Sequence, residues 1–497
     1  MKLSKVDFLT WRNCRHDAWL KVNTPEVCSA APPSAFDQTL VEAGREVNVL
    51  ARELFPDGVE IARGDFTDTQ HHVNNRTPVL YQPVFATELL TTACDILVWN
   101  GERYDLYEVK ASTGGDGRNN NDDQYAYDLG FQAHLLRELG VPIGRLHLVR
   151  LNGGYVRSGA LELDRLFVCD DLTDHVAAYQ LRIAVKVLQA HADLNQAAPL
   201  PGPCGCILKG RSSHCATFEH SNPEVPEYSV HDIARIGLSP KKLASMVARG
   251  ILAVTDVPDG ERLSAIQSNQ VAVSKAQQAM VDRRKIAKFL GGIEEPISFL
   301  DYETFPAAVP RFDGYRPFDQ IPFQFSLHVV EDRTITHHEF LFTESSNPDT
   351  AVIGALNDCL PGKGSIVVWS ASFETTINRR LAERNPSASA MMADIKSRVI
   401  DLEVPFKQQM LVHPVFRGRT SIKAVLPVLV PELTYENLSI REGATASATW
   451  NAIVSGALDA ATNEQKRCDL LSYCALDTKA MVAIWGALYA FVADQPR

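Results

Sequence analysis

The chain has 497 residues, 45% of them hydrophobic and 22% charged, with a formal net charge of -11. That length predicts two or three domains of ordinary globular composition, and the sequence holds no unbroken apolar run of about 18 residues, which argues against a membrane span. The acidic balance alone disfavours a partner bound through its phosphates, yet a metal-dependent enzyme carries acidic ligands, and its binding face can still be locally basic.

The first residues, MKLSKVDFLTWRNCRHDAWL, have neither a continuous apolar stretch nor a small-residue cleavage site. They predict the first helix of a domain rather than a secretory signal. Ten cysteines in so long a chain do not suggest a disulfide scaffold, and the expected location is cytoplasmic. VEAGREVNVLARELF (41–55) has helical apolar spacing. CDILVWN (94–100) and YDLYEVKAS (104–112) alternate like strands around a short Asn-Gly turn and predict a hairpin. FQAHLLRELG (131–140) predicts a helix ended by Gly140, and RLHLVRLN (145–152) a further strand. A Pro, Gly and Cys-rich stretch at 199–215 breaks regular structure.

Residues 225–290 are more polar and helical. Within them DIARIGLSPKKLASMVARGILAVTDV predicts helix, turn and helix, resembling a helix-hairpin-helix; such modules hold a DNA backbone, and short helical pairs also serve as plain connectors. A new domain begins near 291 with the strands ISFLDYETF (297–305), IPFQFSLHVV (321–330) and SIVVWSAS (365–372). It closes on a helix over 469–492. The expected division is 1–220, 221–290 and 291–497, in an α/β architecture.

The first chemical constellation is Asp95 with Glu108-Val109-Lys110. Residues two apart on a strand share a face, so Glu108 and Lys110 project together while Val109 points into the core. Asp95, on the preceding strand of the hairpin, is close enough to join them. Two carboxylates suit a hard divalent cation such as Mg²⁺ or Mn²⁺, and a lysine can orient water or offset phosphate charge. A surface ion pair is the plain alternative for Glu-x-Lys. LYEVKAST with its upstream Asp95 resembles the PD-(D/E)XK nuclease superfamily, in particular its RecB-like branch, and implies a restriction-endonuclease-like fold. The resemblance also implies an acidic ligand on an early helix, Glu46 with Glu42 as the fallback, and a glutamine on the helix after the lysine strand, Gln132 with Gln124 as the alternative.

Cys14 and the trio Cys204, Cys206 and Cys215 suggest a thiolate metal site, for either zinc or an iron–sulfur cluster. One cysteine before the nuclease core and three after it resembles the iron–sulfur RecB-like nucleases, which implies a four-iron–four-sulfur cluster stapling the ends of the domain. The tight C-x-C of Cys204 and Cys206 departs from that pattern and keeps zinc, or free thiols, as alternatives.

In the C-terminal part, Asp301 and Glu303 share a strand face. With VVWSASFETTINRRL and YCALDTKAM they resemble the three motifs of the DEDD exonuclease superfamily, which implies an RNase H-like fold. The motifs map onto Asp301 and Glu303, onto Glu374 where an aspartate is usual, and onto Tyr473 and Asp477. Such carboxylates hold two divalent ions, with Tyr473 positioning the attacking water. The helical i, i+4 spacing puts Tyr473 and Asp477 on one face. TSIKAVLP (420–427) resembles the SLK-type helix start of RNase D-like exonucleases, which implies Lys423 as a candidate phosphate contact; a solvated lysine is the alternative. Asp401 is a candidate carboxylate or a capping residue. Basic clusters at Arg283, Arg284, Lys285 and Lys288, at Arg379 and Arg380, and at Arg417, Arg419 and Lys423 are either nucleic-acid contacts or solvated faces.

The whole order resembles an uncharacterised bacterial family that joins a PD-(D/E)XK region to a C-terminal domain of unknown function. The expectation is a metal-dependent nuclease with two carboxylate sites, acting on DNA rather than RNA in repair, recombination or defence, with no membrane partner. The alternatives are an RNA-processing 3'-5' exonuclease and a nucleic-acid-binding scaffold with one inactive site.

Overall fold

A computed structural model describes residues 1–28, 35–114 and 121–493. They form a mixed α/β protein with eighteen α-helices among the described residues. The chain divides into two compact units: residues 1–224 with 307–319, and residues 225–306 with 320–497. The segment 225–290, expected as a connector, is therefore grouped with the second unit.

In the first unit the strands are β1 (Leu3–Ser4), β2 (Val59–Glu60), β3 (Val79–Tyr81), β4 (Val84–Ala86), β5 (Leu90–Ala93), β6 (Ile96–Trp99), β7 (Tyr104–Lys110), β8 (Ile143–Leu151) and β9 (Phe167–Asp171). Six of them form one mixed sheet in the order β2-β3-β6-β7-β8-β9, and β1-β5-β4 form a small second sheet. Apolar side chains alternate across the central strands, so each face of the large sheet carries its own core. Leu97, Tyr104 and Leu106 pack with helix Asn121–Glu138 on one face; Ile96, Val109 and Val149 pack with helix Ala35–Arg52 on the other. The N-terminus is pinned twice. β1 pairs with β5 in parallel, and Ser4 caps helix Lys5–Asn13 in a reciprocal capping box with Asp7.

The second unit adds β10 (Met280–Val281), β11 (Ile297–Pro306), β12 (Gln320–Glu331), β13 (Thr334–Leu341), β14 (Ile366–Val368), β15 (Val399–Asp401) and β16 (Leu411–Val412). Its main sheet runs β13-β12-β11-β14-β15; β11, β12 and β13 are antiparallel, and β14 and β15 lie parallel to β11. β12 is buried along almost its whole length: Phe323, Phe325 and Leu327 alternate with Gln324, Ser326 and His328, whose polar groups bond to Leu470 and Thr478, whereas the edge strand β13 is polar and exposed.

Helix Ala460–Ala493 packs along β11 and β12. By length and mean hydropathy (1.3 over its most apolar window) it is the one helix among the described residues apolar enough to cross a membrane. Asp469, Asp477 and Lys479 interrupt its apolar run.

The expected helix-hairpin-helix does not form. A single α-helix, Pro240–Ala248, stands between isolated 3-10 turns at Val230–Asp232, Ile236–Leu238 and Val254–Asp256. Arg235 turns left-handed at φ 56°, and Pro240 bars its predecessor from helical geometry, so no helix can cross 235–239.

Candidate active sites and metal centre

On β7, Tyr104, Leu106 and Glu108 turn inward. Glu108 is thereby only 2% exposed, and a charge buried among carbon must be paired. Lys5 Nζ donates to its two oxygens at 2.9 and 3.1 Å, Lys110 Nζ at 2.6 Å and Gln132 Nε2 at 2.7 Å. Asp128 lies one turn before Gln132 on the same helix face. It accepts from Lys110 at 2.8 Å and Gln132 at 2.9 Å, and faces Lys5 at 3.2 Å. Asp95, just before β6, accepts from the Val109 backbone N–H at 2.8 Å and from Gln82 at 3.1 Å.

Burial opposes ionisation of Glu108, but Lys5 and Lys110 outweigh it and hold its carboxyl well below the usual range. Burial likewise opposes the charges on Lys5 and Lys110, and the facing Glu108 and Asp128 hold both ammonium groups charged. Asp95, buried beside Glu108, is pushed up to about 6.

The structure thus brings Asp95, Glu108, Lys110 and Gln132 together and adds Lys5 and Asp128, which the sequence reading missed. Asp128 had a local signal, its i, i+4 spacing from Gln132. Lys5, about 100 residues from Glu108, had none. No hydrogen bond or ion pair among the described residues ties Glu46 to Asp95, Glu108 or Lys110. Glu46 is exposed on helix Ala35–Arg52, where the charge it feels is that of Arg311, because the face of that helix turned to the sheet is the one carrying Val47 and Ala51.

Cys14, Cys204, Cys206 and Cys215 converge: their sulfurs all lie within 4.8 Å of one another. All four are free, and Cys204 and Cys215 stand 3.8 Å apart, far from bonding distance. Cys14 is the N-cap of helix Arg15–Asn23 and accepts from the Asp17 N–H at 3.5 Å. The fully buried Asn222 donates Nδ2 to Cys204 Sγ at 3.2 Å. The four thiols can bind a metal.

In the second unit the i, i+2 spacing on β11 turns Asp301 and Glu303 to one face, and helix Ala460–Ala493 lays Cys474 beside them within 4.8 Å. Asp477, one turn on, accepts from Tyr435 Oη at 2.5 Å, and Tyr473 offers it a second hydroxyl. Lys423, near the start of helix Ile422–Leu429, donates to Tyr473 Oη at 3.3 Å and to the Arg441 carbonyl. Burial first, then Asp477, Glu303 and Glu374, push Asp301 far above the carboxylate range. Burial and Asp477 do the same to Glu303, against Lys423. Burial raises Asp477 to about 6, with Tyr435 and Lys423 opposing. Cys474, its thiol held protonated by burial and these acids, points its S–H at Asp301 Oδ2, 3.8 Å away. It is a weak donor there.

Glu374, in the first turn of helix Ser372–Arg384, lies outside the group whose ligand atoms come within 4.8 Å, yet near enough for its charge to raise Asp301. It is buried, its Oε2 has no hydrogen-bond partner, and burial lifts its pKa to about 8. Tyr473 is buried. Asp401 ends β15 and accepts from the Ser370 and Glu403 backbone N–H groups at 3.0 and 2.9 Å, which is a capping role. Tyr435 and Cys474 were not foreseen; no short-range spacing ties Tyr435 to the motifs. Of the basic clusters, Arg379 and Arg380 pair with Glu383, and Arg417 pairs with Glu227.

Residues 298–421, which include β11 and Asp301–Glu303, match a family described as a domain of unknown function (DUF2779). The chain is 28% identical over 224 residues to the uncharacterized protein MG366 homolog of Mycoplasma pneumoniae, covering 41% of this chain and 33% of that protein. It is 24% identical over 242 residues to the uncharacterized protein UU173 of Ureaplasma parvum, covering 44% of this chain and 33% of that one. The match therefore spans about a third of the length of these curated relatives. No solved structure matches the chain significantly.

Proposed function

We propose that the chain is a metal-dependent nuclease that hydrolyses phosphodiester bonds of DNA, with a carboxylate site in each unit. The observation that carries this reading is the convergence of Asp301, Glu303 and Asp477 from β11 and the 460–493 helix. Three acids buried together, with Lys423 the cation set against them, are unfavourable unless a further positive charge joins them. Their oxygens suit Mg²⁺ or Mn²⁺, which would acidify a bound water and neutralise charge on the leaving oxygen. Lys423 orients the Tyr473 hydroxyl, and Tyr473 and Tyr435 fix the Asp477 carboxylate.

The motif resemblances assign this unit to the RNase H-like DEDD class and the first unit to the PD-(D/E)XK class. The mixed five-stranded and six-stranded sheets are compatible with both. In the first unit Asp95 and Glu108 would hold the divalent ion. Lys110 would offset the charge of the scissile phosphate, and Gln132 keeps Glu108 oriented.

A second reading, in which the second unit is inactive and binds nucleic acid only, is favoured by Glu374, which stands where the resembled motif has an aspartate and lies outside the group of ligand atoms that come within 4.8 Å of one another. One assay separates the readings. Purified protein is incubated with Mg²⁺ or Mn²⁺ and end-labelled single- and double-stranded DNA and RNA, alongside Lys110→Ala, Asp301→Ala and the double variant. The proposal expects DNA cleavage that only the double variant abolishes. Cleavage of RNA alone would move the substrate to RNA, and cleavage lost entirely with Lys110→Ala would leave the second unit as a scaffold.

A further inference from the structure

The resemblance to iron–sulfur nucleases implies a four-iron cluster at Cys14, Cys204, Cys206 and Cys215, and their spacing does not fit one. In such a cluster each cysteine ligates a different iron at a corner of a cube. The four sulfurs are then splayed around the whole cluster, well beyond the separations possible around one ion. Four thiolates on a single tetrahedral ion at a bond length near 2.3 Å stand about 3.8 Å apart. Here all four sulfurs lie within 4.8 Å of one another, and Cys204 and Cys215 are 3.8 Å apart.

We infer that these four cysteines hold one tetrahedral zinc ion in place of the iron–sulfur cluster. The donor set is all sulfur, which selects a soft or borderline metal over Mg²⁺ or Mn²⁺, and four protein ligands close the site, as in structural rather than catalytic zinc centres. The surroundings suit thiolates: the Asn222 side-chain amide and the Asp17 backbone N–H both direct N–H groups at sulfur. N–H donors aimed at metal-bound sulfurs spread the negative charge that four thiolates leave on a divalent ion.

The ion is a staple with a consequence for the neighbouring site. Cys14 joins the end of helix Lys5–Asn13 to the start of helix Arg15–Asn23, and the other three ligands lie between 204 and 215. Closing the loop between them fixes the helix that delivers Lys5 to Glu108 and Asp128. The assignment rests on sulfur geometry and stands whether or not the chain proves to be a nuclease.

The test is metal analysis and spectroscopy on the full chain purified without oxygen. One zinc per chain, a colourless solution and negligible inorganic sulfide are expected. Replacement by Co²⁺ should saturate at one equivalent and give intense thiolate-to-cobalt absorption with the visible bands of a tetrahedral site. Cys206→Ser should bind zinc less tightly and lose part of that charge-transfer intensity while retaining the tetrahedral bands. If that variant does not fold, competition of the wild type with a chromogenic zinc chelator gives the same stoichiometry. Brown protein with several irons and matching sulfide overturns the assignment. So does one iron without sulfide, or a chain that takes up no zinc when reduced and supplied with it.

Discussion

The two carboxylate sites solve the same electrostatic problem in opposite ways. In the first unit every buried acid meets a cation or an amide: Glu108 and Asp128 are bridged by Lys5, Lys110 and Gln132, so Glu108 stays ionised without any metal. In the second unit Asp301, Glu303 and Asp477 face one another with tyrosine hydroxyls, one thiol and Lys423, and their carboxyls are pushed toward the neutral form. The first arrangement is a closed ion network whose stability does not need a metal. The second is frustrated and gains most from a cation. Metal dependence should therefore show in stability at the second site and mainly in activity at the first.

The largest effect that sharpens this contrast is on catalysis. Asp301→Asn removes a charge the proposed ion needs, and second-unit cleavage should fall on the order of 10³-fold, while the ion-free protein melts no lower than wild type because burial and the neighbouring acids already hold Asp301 toward its neutral form. A fall in melting temperature of several degrees for the ion-free variant would show that Asp301 is held by partners rather than frustrated.

Lys110→Ala should behave in the opposite way. It strands Glu108 and Asp128 with one lysine fewer, and breaking a buried ion network costs about 3 kcal/mol, read as a lower urea midpoint. An unchanged midpoint would mean that the network is solvated and the contrast between the sites is false.

Mg²⁺ or Mn²⁺ should raise the melting temperature of wild type, with about 2.7 kcal/mol of stabilisation at a hundredfold excess over the dissociation constant. The gain should disappear in Asp301→Asn and persist in Lys110→Ala. The reverse pattern would put the tighter metal site in the first unit.

The smallest effect lies beside the second site. His328 is buried against the Thr478 hydroxyl, 2.8 Å away, and stacks on His337; burial, then His337, hold its pKa down to about 4. The unfolded chain has its ordinary value near 6.5, so between about 6.5 and 4 it takes up a proton that the folded chain refuses. This contribution to stability is complete above that window and is lost as the pH falls through it. His328→Gln should flatten that part of the urea midpoint against pH curve relative to wild type. An equal slope in both proteins would place the proton elsewhere.

What the sequence determined by itself is what local backbone geometry fixes. Glu108 and Lys110, like Asp301 and Glu303, share a face because a strand has a period of two; Tyr473 and Asp477 share one because a helix returns every 3.6 residues. The same rule made the central strands legible from their apolar runs, and made Asp128 recoverable from Gln132. It failed at 235–239, where a left-handed Arg235 and a proline replaced the expected first helix. Tertiary structure alone decided the rest. Lys5 reaches Glu108 only because the capping box and the β1–β5 pairing aim the first helix, and Tyr435 reaches Asp477 across 42 residues. Glu46 stays exposed because the sheet claimed the apolar face of its helix. The spacing of the four sulfurs, which separates one ion from a cluster, belongs to this second class. Periodicity constrains neighbours on one element, whereas distances between elements are set by how their buried faces pack, and no short-range pattern encodes that.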